Sequence, residues 1–479
     1  KNVVNDETNN LLFFFRKANG NRKREFFFQR ALDSFAESRI FQKTKVTFMN
    51  FDLRDFKQRG GHVHFIGCAG AGTRPLASIF IELGFPCSGS DLLPAEIEGM
   101  TVFQGHAAAN LPQGDFPLLV VHTSAAAPDN PELVEAKRRG AAVMRRGEAL
   151  AHLGTLFEHS IAVAGSHGKT SVSAMTAHTL TALGCNPGFL IGGSVSGWTT
   201  AGRAGDGKLF VTEVDESDST NALFHASTAV VTNIEDDHSW SVGGTDALFG
   251  SFVTFGKNAG HLIFVEGENT DRLLAPLPVS SERVFRVLPA WNFPAHWGGF
   301  QKLNAVTAFA AVRSAVDCSD DEIRAALFRF PGVERRMSIR FDNGVFRIVE
   351  DYAHHPTELK ASLSALRETN PGRRMIAVFQ PHRYARLKRY LPEFAALLKT
   401  IDGPVFLPPV FAAWTDKSDV DSGTLAAAVG KNAHAVSGTW ESMAETVAEH
   451  ARPGDLIAVI GAGDVKEIIA PLSRLLKSR

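Results

Sequence analysis

The sequence predicts an α/β protein of several domains built on mostly parallel sheets. Three observations carry this. The chain has 479 residues, enough for roughly two to four domains. Short apolar, β-rich runs alternate with longer helical stretches. Glycine turns follow the first strand of at least two of the repeated strand–helix units. At 44% hydrophobic and 21% charged residues, there is ample material for cores. Lys plus Arg number 50 against 51 Asp plus Glu, so no global field favours nucleic acid or an anionic membrane. Cys68, Cys87, Cys185 and Cys318 form no C-x-x-C pair, which argues against a zinc site or disulfide scaffold. No run reaches the roughly 20 apolar residues of a membrane span, so a cytoplasmic protein is expected. Basic pairs such as Arg138-Arg139 and Arg145-Arg146 read as solvated faces unless a site claims them.

Residues 1–48 differ from the rest, being rich in Phe, Asn and basic residues without Met. They read as an appendage open to disorder, extending to about residue 60, with Met49 opening a plausible start. From Gly61, "HVHFIG" is a strand, "CAGAG" a turn and "LASIFIELG" a helix stopped by Gly84. "PCSGSD", "PLLVVHTSA" and "AAVMRR" are further strands, with "NPELVEAKRRG" a helix between the last two. A second unit begins near Ser160, where "SIAVAG" leads into a loop and a helix over Lys169–Leu183. "KLFVTEVDES" and "TAVVTNIEDDH" are strands ending in acids, and ligands belong at such carboxyl ends. "VERRMSIR" reads as the seam to a third unit, which carries "FRIVEDYAHHPTELKASLSALRE", "RMIAVFQPHRYARLKRYLPEFAALL" and "DLIAVIGAGDVKEIIAPLSRLL".

"AGSHGKTS", Ala164–Ser171, keeps most of a phosphate-binding loop, although Val163 stands where G-x-x-x-x-G-K-[ST] has its first glycine. Gly165 and Gly168 let backbone N–H groups turn toward phosphate oxygens. Lys169 can reach the β and γ oxygens, and Thr170 or Ser171 offers a hydroxyl to Mg²⁺. Glu213, Asp215, Glu216 and Asp218, with Glu235, Asp236, Asp237 and His238, are either solvated turns or holders of one or two such ions. "GCAGAG" places Gly67, Gly70 and Gly72 after a strand, with Asp91 ending the next. That is a pyrophosphate turn or a structural one, since the spacing is not G-x-G-x-x-G. "DYAHHPTE" and "FQPHRYAR" combine His, Tyr and Arg at strand ends. They make either a solvated basic turn or a carboxylate pocket in which Arg383 and Arg386 supply fork-shaped donors.

Together these stretches resemble the Mur ligase family, ATP-dependent amide-forming ligases of peptidoglycan precursor synthesis. "AGSHGKT", "EVDESDS", "VVTNIEDDH", "DYAHHPTE" and "FQPHRYAR" are similar to family motifs and follow the family order from about Gly61 to the C-terminus. "FQPHRYAR" resembles the branch that adds alanine. The resemblance implies a Rossmann-like UDP-binding domain over 61–155, a central P-loop ATPase domain over 156–333 and a C-terminal Rossmann-like domain over 334–479. It implies that Gly165, Ser166, His167, Gly168, Lys169, Thr170 and Ser171 bind ATP. Asn304 would contact adenine, Arg336 the γ-phosphate and Asp351 the ribose. Thr170, Glu213 and His238 would hold Mg²⁺ or Mn²⁺. Tyr352, His354, Arg383 and Arg386 would surround the amino acid, and Gly67, Gly70, Gly72, Asp91, His106 and Ser124 would line the UDP group. Lys169, His238, Arg336 and His354 would be the catalytic set. The implied reaction joins L-alanine to the carboxylate of UDP-N-acetylmuramate through an acyl phosphate, in a monomer or homodimer.

Phe300, Gln301, Trp240 and Arg74-Pro75 depart from the family pattern. They motivate the reading of a nucleotide-binding protein without catalysis, against which Lys169, Thr170, Glu213, His238 and Arg336 stand together. A recycling ligase that attaches a tripeptide usually lacks "QPHRYxR", and an NAD-dependent oxidoreductase leaves Lys169, Glu213 and His238 unexplained. A chain truncated to begin at Met49 is expected to fold and turn over like the full chain. A truncated protein that fails to fold, or loses activity, contradicts the appendage reading.

Overall fold

The computed structural model describes residues 51–479 apart from His238, residues 414–417 and Ser478, and the backbone but not the side chain of Trp240. Residues 1–50, including the expected appendage, and the expected metal ligand His238 therefore lie outside the described residues. Three sheets follow one another along the chain. The first contains β1 (His62–Ile66), β2 (Cys87–Asp91), β3 (Thr101–Gln104), β4 (Leu118–His122) and β5 (Ala142–Arg145). Its order is β3-β2-β1-β4-β5 and every pairing is parallel. The order reverses between β1 and β4, where doubly wound sheets open a crevice for ligands.

The second sheet contains β6 (His159–Ala164), β7 (Gly188–Leu190), β8 (Gly202–Arg203), β9 (Leu209–Glu213), β10 (Thr228–Val231), β11 (His261–Val265) and β12 (Ser280–Val284). The order is β12-β11-β10-β6-β9-β7-β8, antiparallel only at β7–β8. The third contains β13 (Ser338–Asp342), β14 (Arg347–Asp351), β15 (Met375–Phe379), β16 (Val405–Leu407), β17 (Ala433–Ala435) and β18 (Leu456–Ile460). Its order is β13-β14-β18-β15-β16-β17, antiparallel only at the β13 edge. Central strands such as β15 and β18 are buried throughout. Continuous apolar runs of this kind are what a parallel sheet covered on both faces requires.

Local signals place the helices as expected. Asn130 caps Pro131–Arg138 by accepting from Glu132 N–H at 2.9 Å, with Pro131 in the first turn. Gly84 follows the helix Thr73–Glu82 in the left-handed region, at φ 81°. Pro75 lies in the first turn of that helix, where proline removes no helical hydrogen bond. It packs on the β7–β8 hairpin, close enough that a Cβ on Gly202 would come within 2.8 Å of it. One apolar core runs continuously from the first sheet into the central one, and Phe157, on the chain leading into β6, stacks on Phe210 of β9 at 4.5 Å. The third sheet has its own cores on its two faces.

Residues 51–60, read from sequence as the end of the appendage, instead belong to the first unit. Asp52 caps the helix Leu53–Gln58 by accepting from Arg54 and Asp55 N–H. Leu53 and Phe56 then enter the core, where Phe56 meets Phe51 and Phe85. The six-residue helix is too short for a clear period, which hid it in the sequence. Phe56 is only 4% exposed, so Phe56→Ala is expected to cost about 3 kcal/mol of unfolding free energy. Denaturant unfolding showing no loss would place this helix outside the core.

Candidate active site

The loop after β6 is shaped by two glycines. Gly165, at φ 140°, presses against β10's exit so closely that a Cβ would strike Thr232 Oγ1 and the Asn233 backbone. Gly168, at φ 85°, caps the helix Lys169–Ala182 without a side-chain acceptor, leaving that helix's first N–H groups for a ligand. The segment after β10 pins the loop. Asn233 Oδ1 accepts from His167 N–H at 2.9 Å, and Asn233 Nδ2 and Thr232 Oγ1 donate to His167 O at 2.9 and 2.5 Å. Ser166 Oγ accepts from Glu235 N–H at 2.9 Å.

Lys169 Nζ lies 2.9 Å from Glu216 and 2.5 Å from Gly165 O. Burial opposes its charge, but Glu216, Glu213 and Asp215 outweigh that and raise its pKa. Burial in turn pushes Glu216 up to about 7 against the attraction of Lys169. Glu213 accepts from Gly192 N–H at 3.0 Å, and a Cβ on the adjacent Gly193 would come within 3.1 Å of the Thr170 methyl. Thr170 and Glu213 thus flank one glycine pair. A hydroxyl and a carboxylate are the kinds of oxygen ligand a small divalent cation takes, with several waters retained. Asn304 stands over the loop, its Oδ1 3.1 Å from where a Gly168 Cβ would be.

The third unit closes over this loop with the turn after β14. Arg336 sits between Arg335 and Met337, both in the left-handed region at φ 62° and 51°. Its guanidinium lies 5.0 Å from the Tyr352 ring centroid and 3.6 Å from Glu358. Burial lowers its pKa, and Glu358, Asp351 and Glu213 more than compensate, so Arg336 feels carboxylates of both units. Asp351 is turned inward. It accepts from Ala353 N–H and Ser362 Oγ on one oxygen and from Met337 N–H on the other, at 2.8–2.9 Å. It therefore holds the strap that carries Arg336.

His354 stands edge-on to Tyr352 and His382, at 5.5 and 5.4 Å. Burial lowers its pKa. His382 in turn lies 3.4 Å from Arg386, whose guanidinium reaches within 3.8 Å of Asp237. Arg383 takes a left-handed conformation at φ 67° and bonds Phe411 O through its N–H at 2.8 Å. The four residues expected around the amino acid thus lie along one wall, facing the acids after β10.

The residues expected at the UDP group gather at the carboxyl edge of the first sheet. Gly67 turns at φ 76° against Thr123, and Gly70 N–H bonds Gly67 O. Asp91 accepts from Ala69 and Leu93 N–H. His106 is held by Ser90 at 2.9 Å, and Ser124 is exposed just after β4. Gly72 faces the Arg146 side chain, whose charge also lowers the pKa of Asp215. Arg145 pairs with Glu148 at 2.9 Å and approaches Asp218 at 4.0 Å. The Arg145-Arg146 pair, read from sequence as a solvated face, instead lies between the first and central units.

Sequence reasoning assigned no role to Glu358 or Glu132. Glu132 is fully buried and accepts from Ser90 at 2.6 Å and Asn110 at 2.6 Å. Glu358 occupies the third helical position after the cap residue His355, the spacing of a capping box. That local signal was present in "HHPTE". Gln301, a departure from the family pattern, caps its own helix by accepting from Gly298 N–H at 2.9 Å.

Comparison with known proteins agrees with this arrangement. Residues 62–158 match the model of the Mur ligase family, catalytic domain, and 335–463 that of the Mur ligase, glutamate ligase domain. A UDP-N-acetylmuramate–L-alanine ligase of Myxococcus xanthus is 34% identical, covering 88% of this chain and 97% of its own. One of Rhizobium johnstonii is 33% identical over 87% and 97%. The crystal structure of the UDP-N-acetylmuramate–alanine ligase of Thermotoga maritima superposes with a TM-score of 0.69 at 24% identity, covering 87% of this chain and 99% of that one. A murein peptide ligase of Psychrobacter arcticus superposes at 0.58 and 22% identity over the same shares. With near-full-length relatives above 30% identity and these elements in this order, the chain belongs to the Mur ligase family of ATP-dependent ligases.

Proposed function

We propose that the chain joins L-alanine to the carboxylate of UDP-N-acetylmuramate, forming UDP-N-acetylmuramoyl-L-alanine, ADP and phosphate for peptidoglycan precursors. The observation that carries the reading is the meeting of the phosphate loop with the third unit in one cleft, where His167 stacks on His355 and Arg336 and His354 stand beside it. In this reading residues 61–155 hold the UDP moiety, 156–333 ATP and 334–479 the amino acid. Gly67, Gly70, Gly72, Asp91, His106 and Ser124 line the UDP group, and Asn304 contacts the nucleotide. Thr170, Glu213 and His238 would hold Mg²⁺, which would neutralise phosphate charge. The reaction takes place in the cytoplasm, and no helix among the described residues is long and apolar enough to cross a membrane.

The muramoyl carboxylate oxygen attacks the γ-phosphorus, and the bond to the β-phosphate oxygen breaks to release ADP. Such a transfer asks mainly for positioning and charge stabilisation. Lys169 supplies these from the loop and Arg336 from the strap, which Asp351 positions. The amine of L-alanine then attacks the acyl carbon. His354, its pKa lowered by burial, takes the amine proton, while Arg383 and Arg386 hold the alanine carboxylate. The tetrahedral intermediate collapses to amide and phosphate. The Tyr352 ring covers this wall and shields the acyl phosphate from water.

Phosphate release from Mg-ATP with UDP-N-acetylmuramate is expected with L-alanine as acceptor, above glycine, L-serine or tripeptide. No release with any acceptor would overturn the ligase reading, and preference for tripeptide would make the protein a recycling ligase. Lys169→Ala is expected to lower kcat at least about 10³-fold with an unchanged circular dichroism spectrum. A variant turning over at near-normal rate would remove the loop from the mechanism.

A further inference from the structure

We propose that Glu358 is a positioning residue that couples the nucleotide and amino-acid pockets, so that each is completed by the seating of the third unit on the phosphate loop. The proposal rests on the ligase reading above and concerns a residue to which that reading gives no part. Glu358 gathers five donors. Its Oε2 accepts from the His354 and His355 N–H groups at 3.0 and 3.3 Å and lies 3.2 Å from His354 Nδ1. Its Oε1 lies 3.5 Å from His167 Nδ1 and 3.6 Å from Arg336. One carboxylate thus touches the phosphate loop, the arginine expected at the γ-phosphate and the histidine expected beside the amine.

These contacts divide by the unit that supplies the donor. His354, His355 and Arg336 travel with Glu358, because they belong to the strap and turn around β14. His167 does not, since its loop is pinned to β10 through Thr232 and Asn233. The Glu358–His167 pair therefore exists only while the two units are docked. Thr357 Oγ1 donates to Glu235 at 2.8 Å beside it, and His355 stacks on His167 with ring centroids 5.0 Å apart. Burial alone would raise the Glu358 pKa, but His354, His167 and Arg336 hold it well below the usual carboxylate range. His167, between Glu235 and Glu358, is carried up to about 9 against its own burial. Both groups are charged at neutral pH, and charge-assisted contacts in a dry joint are strong and directional. A ligand that fixes the loop then fixes His354, and by reciprocity an amino acid that fixes His354 stabilises the loop.

The test uses Glu358→Gln, which keeps an acceptor for the two backbone N–H groups and removes the charge. The KM for L-alanine is measured at ATP concentrations below and above the ATP KM, in the full-length wild type and the variant. In the wild type, saturating ATP is expected to lower the alanine KM about fivefold or more. In Glu358→Gln the alanine KM is higher and no longer changes with ATP. A variant with the wild-type dependence on ATP, or a wild type without one, overturns the proposal. If Glu358 merely capped its helix, Glu358→Gln would match the wild type, and only Glu358→Ala would lose thermal stability. A second readout needs no turnover. The His167 imidazole, followed by NMR, is expected to titrate near 9 in the wild type and at least about one unit lower in Glu358→Gln, because loss of a neighbouring carboxylate destabilises the imidazolium. Equal midpoints overturn the link whatever the substrate. Absent phosphate release with differing midpoints refutes the ligase reading alone.

Discussion

The tight approach of the phosphate loop to the end of β10 is the constraint on which the rest of the site depends. A chain that must turn its N–H groups toward one point cannot also satisfy them internally, so it has to be braced from outside. Thr232, Asn233 and Glu235 supply that brace, and Gly165 leaves the space for it. With the loop held, Lys169 and the start of its helix have fixed positions, and the buried Glu216 and the half-buried Asp215 are arranged around them. The brace does a second task. The same short segment carries Asp236 and Asp237, which meet Arg389 and Arg386 of the third unit at 3.6 and 3.8 Å.

The two joints of the molecule are made of different materials. Between the first and central units the core is continuous and aromatic, and the Gly202–Pro75 contact adds close packing. Opening that joint would expose apolar surface to water. Between the central and third units the contacts are ionic and small. Lys302 pairs with Glu368 at 2.6 Å, Gly299 N–H donates to the same glutamate, and Gly298 rests on Ala365. Exposed pairs of this kind contribute little each, so, the buried Glu358–His167 pair aside, the second joint is held less firmly than the first. That contrast suits a reaction in which substrates enter one cleft and an acyl phosphate is then shielded there.

Much of this was legible in the sequence because its signals are local. The apolar runs of β6, β9 and β10, the glycines at 165 and 168, and the acids after the strands all lie within a few residues of what they do. They sufficed for the fold class and for the family. The partners of those residues were not legible, because they are far apart in the chain. Loop and brace lie 65 to 69 residues apart, and His167 meets Glu358 only through tertiary packing. The helix Leu53–Gln58 was hidden for another reason, since six residues show too little periodicity to stand out beside a Phe-rich neighbour. Asp351 and Arg145-Arg146 show a third limit. The resemblance implied the ATP ribose for Asp351 and residue type a solvated face for the arginine pair, and neither told of the backbone that Asp351 holds or the joint in which the pair lies.

The two left-handed residues beside Arg336 make the crossing from the central unit to the third a bent, stiff link. Left-handed conformations are costly for residues with a Cβ, so this bend is kept by Asp351 holding Met337 N–H and by Arg335 reaching Glu350 at 2.8 Å and Gly461 O at 3.0 Å. Arg336 is therefore carried by the link itself, between two residues whose backbone is held in place. The guanidinium is thus fixed from two sides, by the bent backbone on which it sits and by the Tyr352 ring and Glu358 carboxylate beside it.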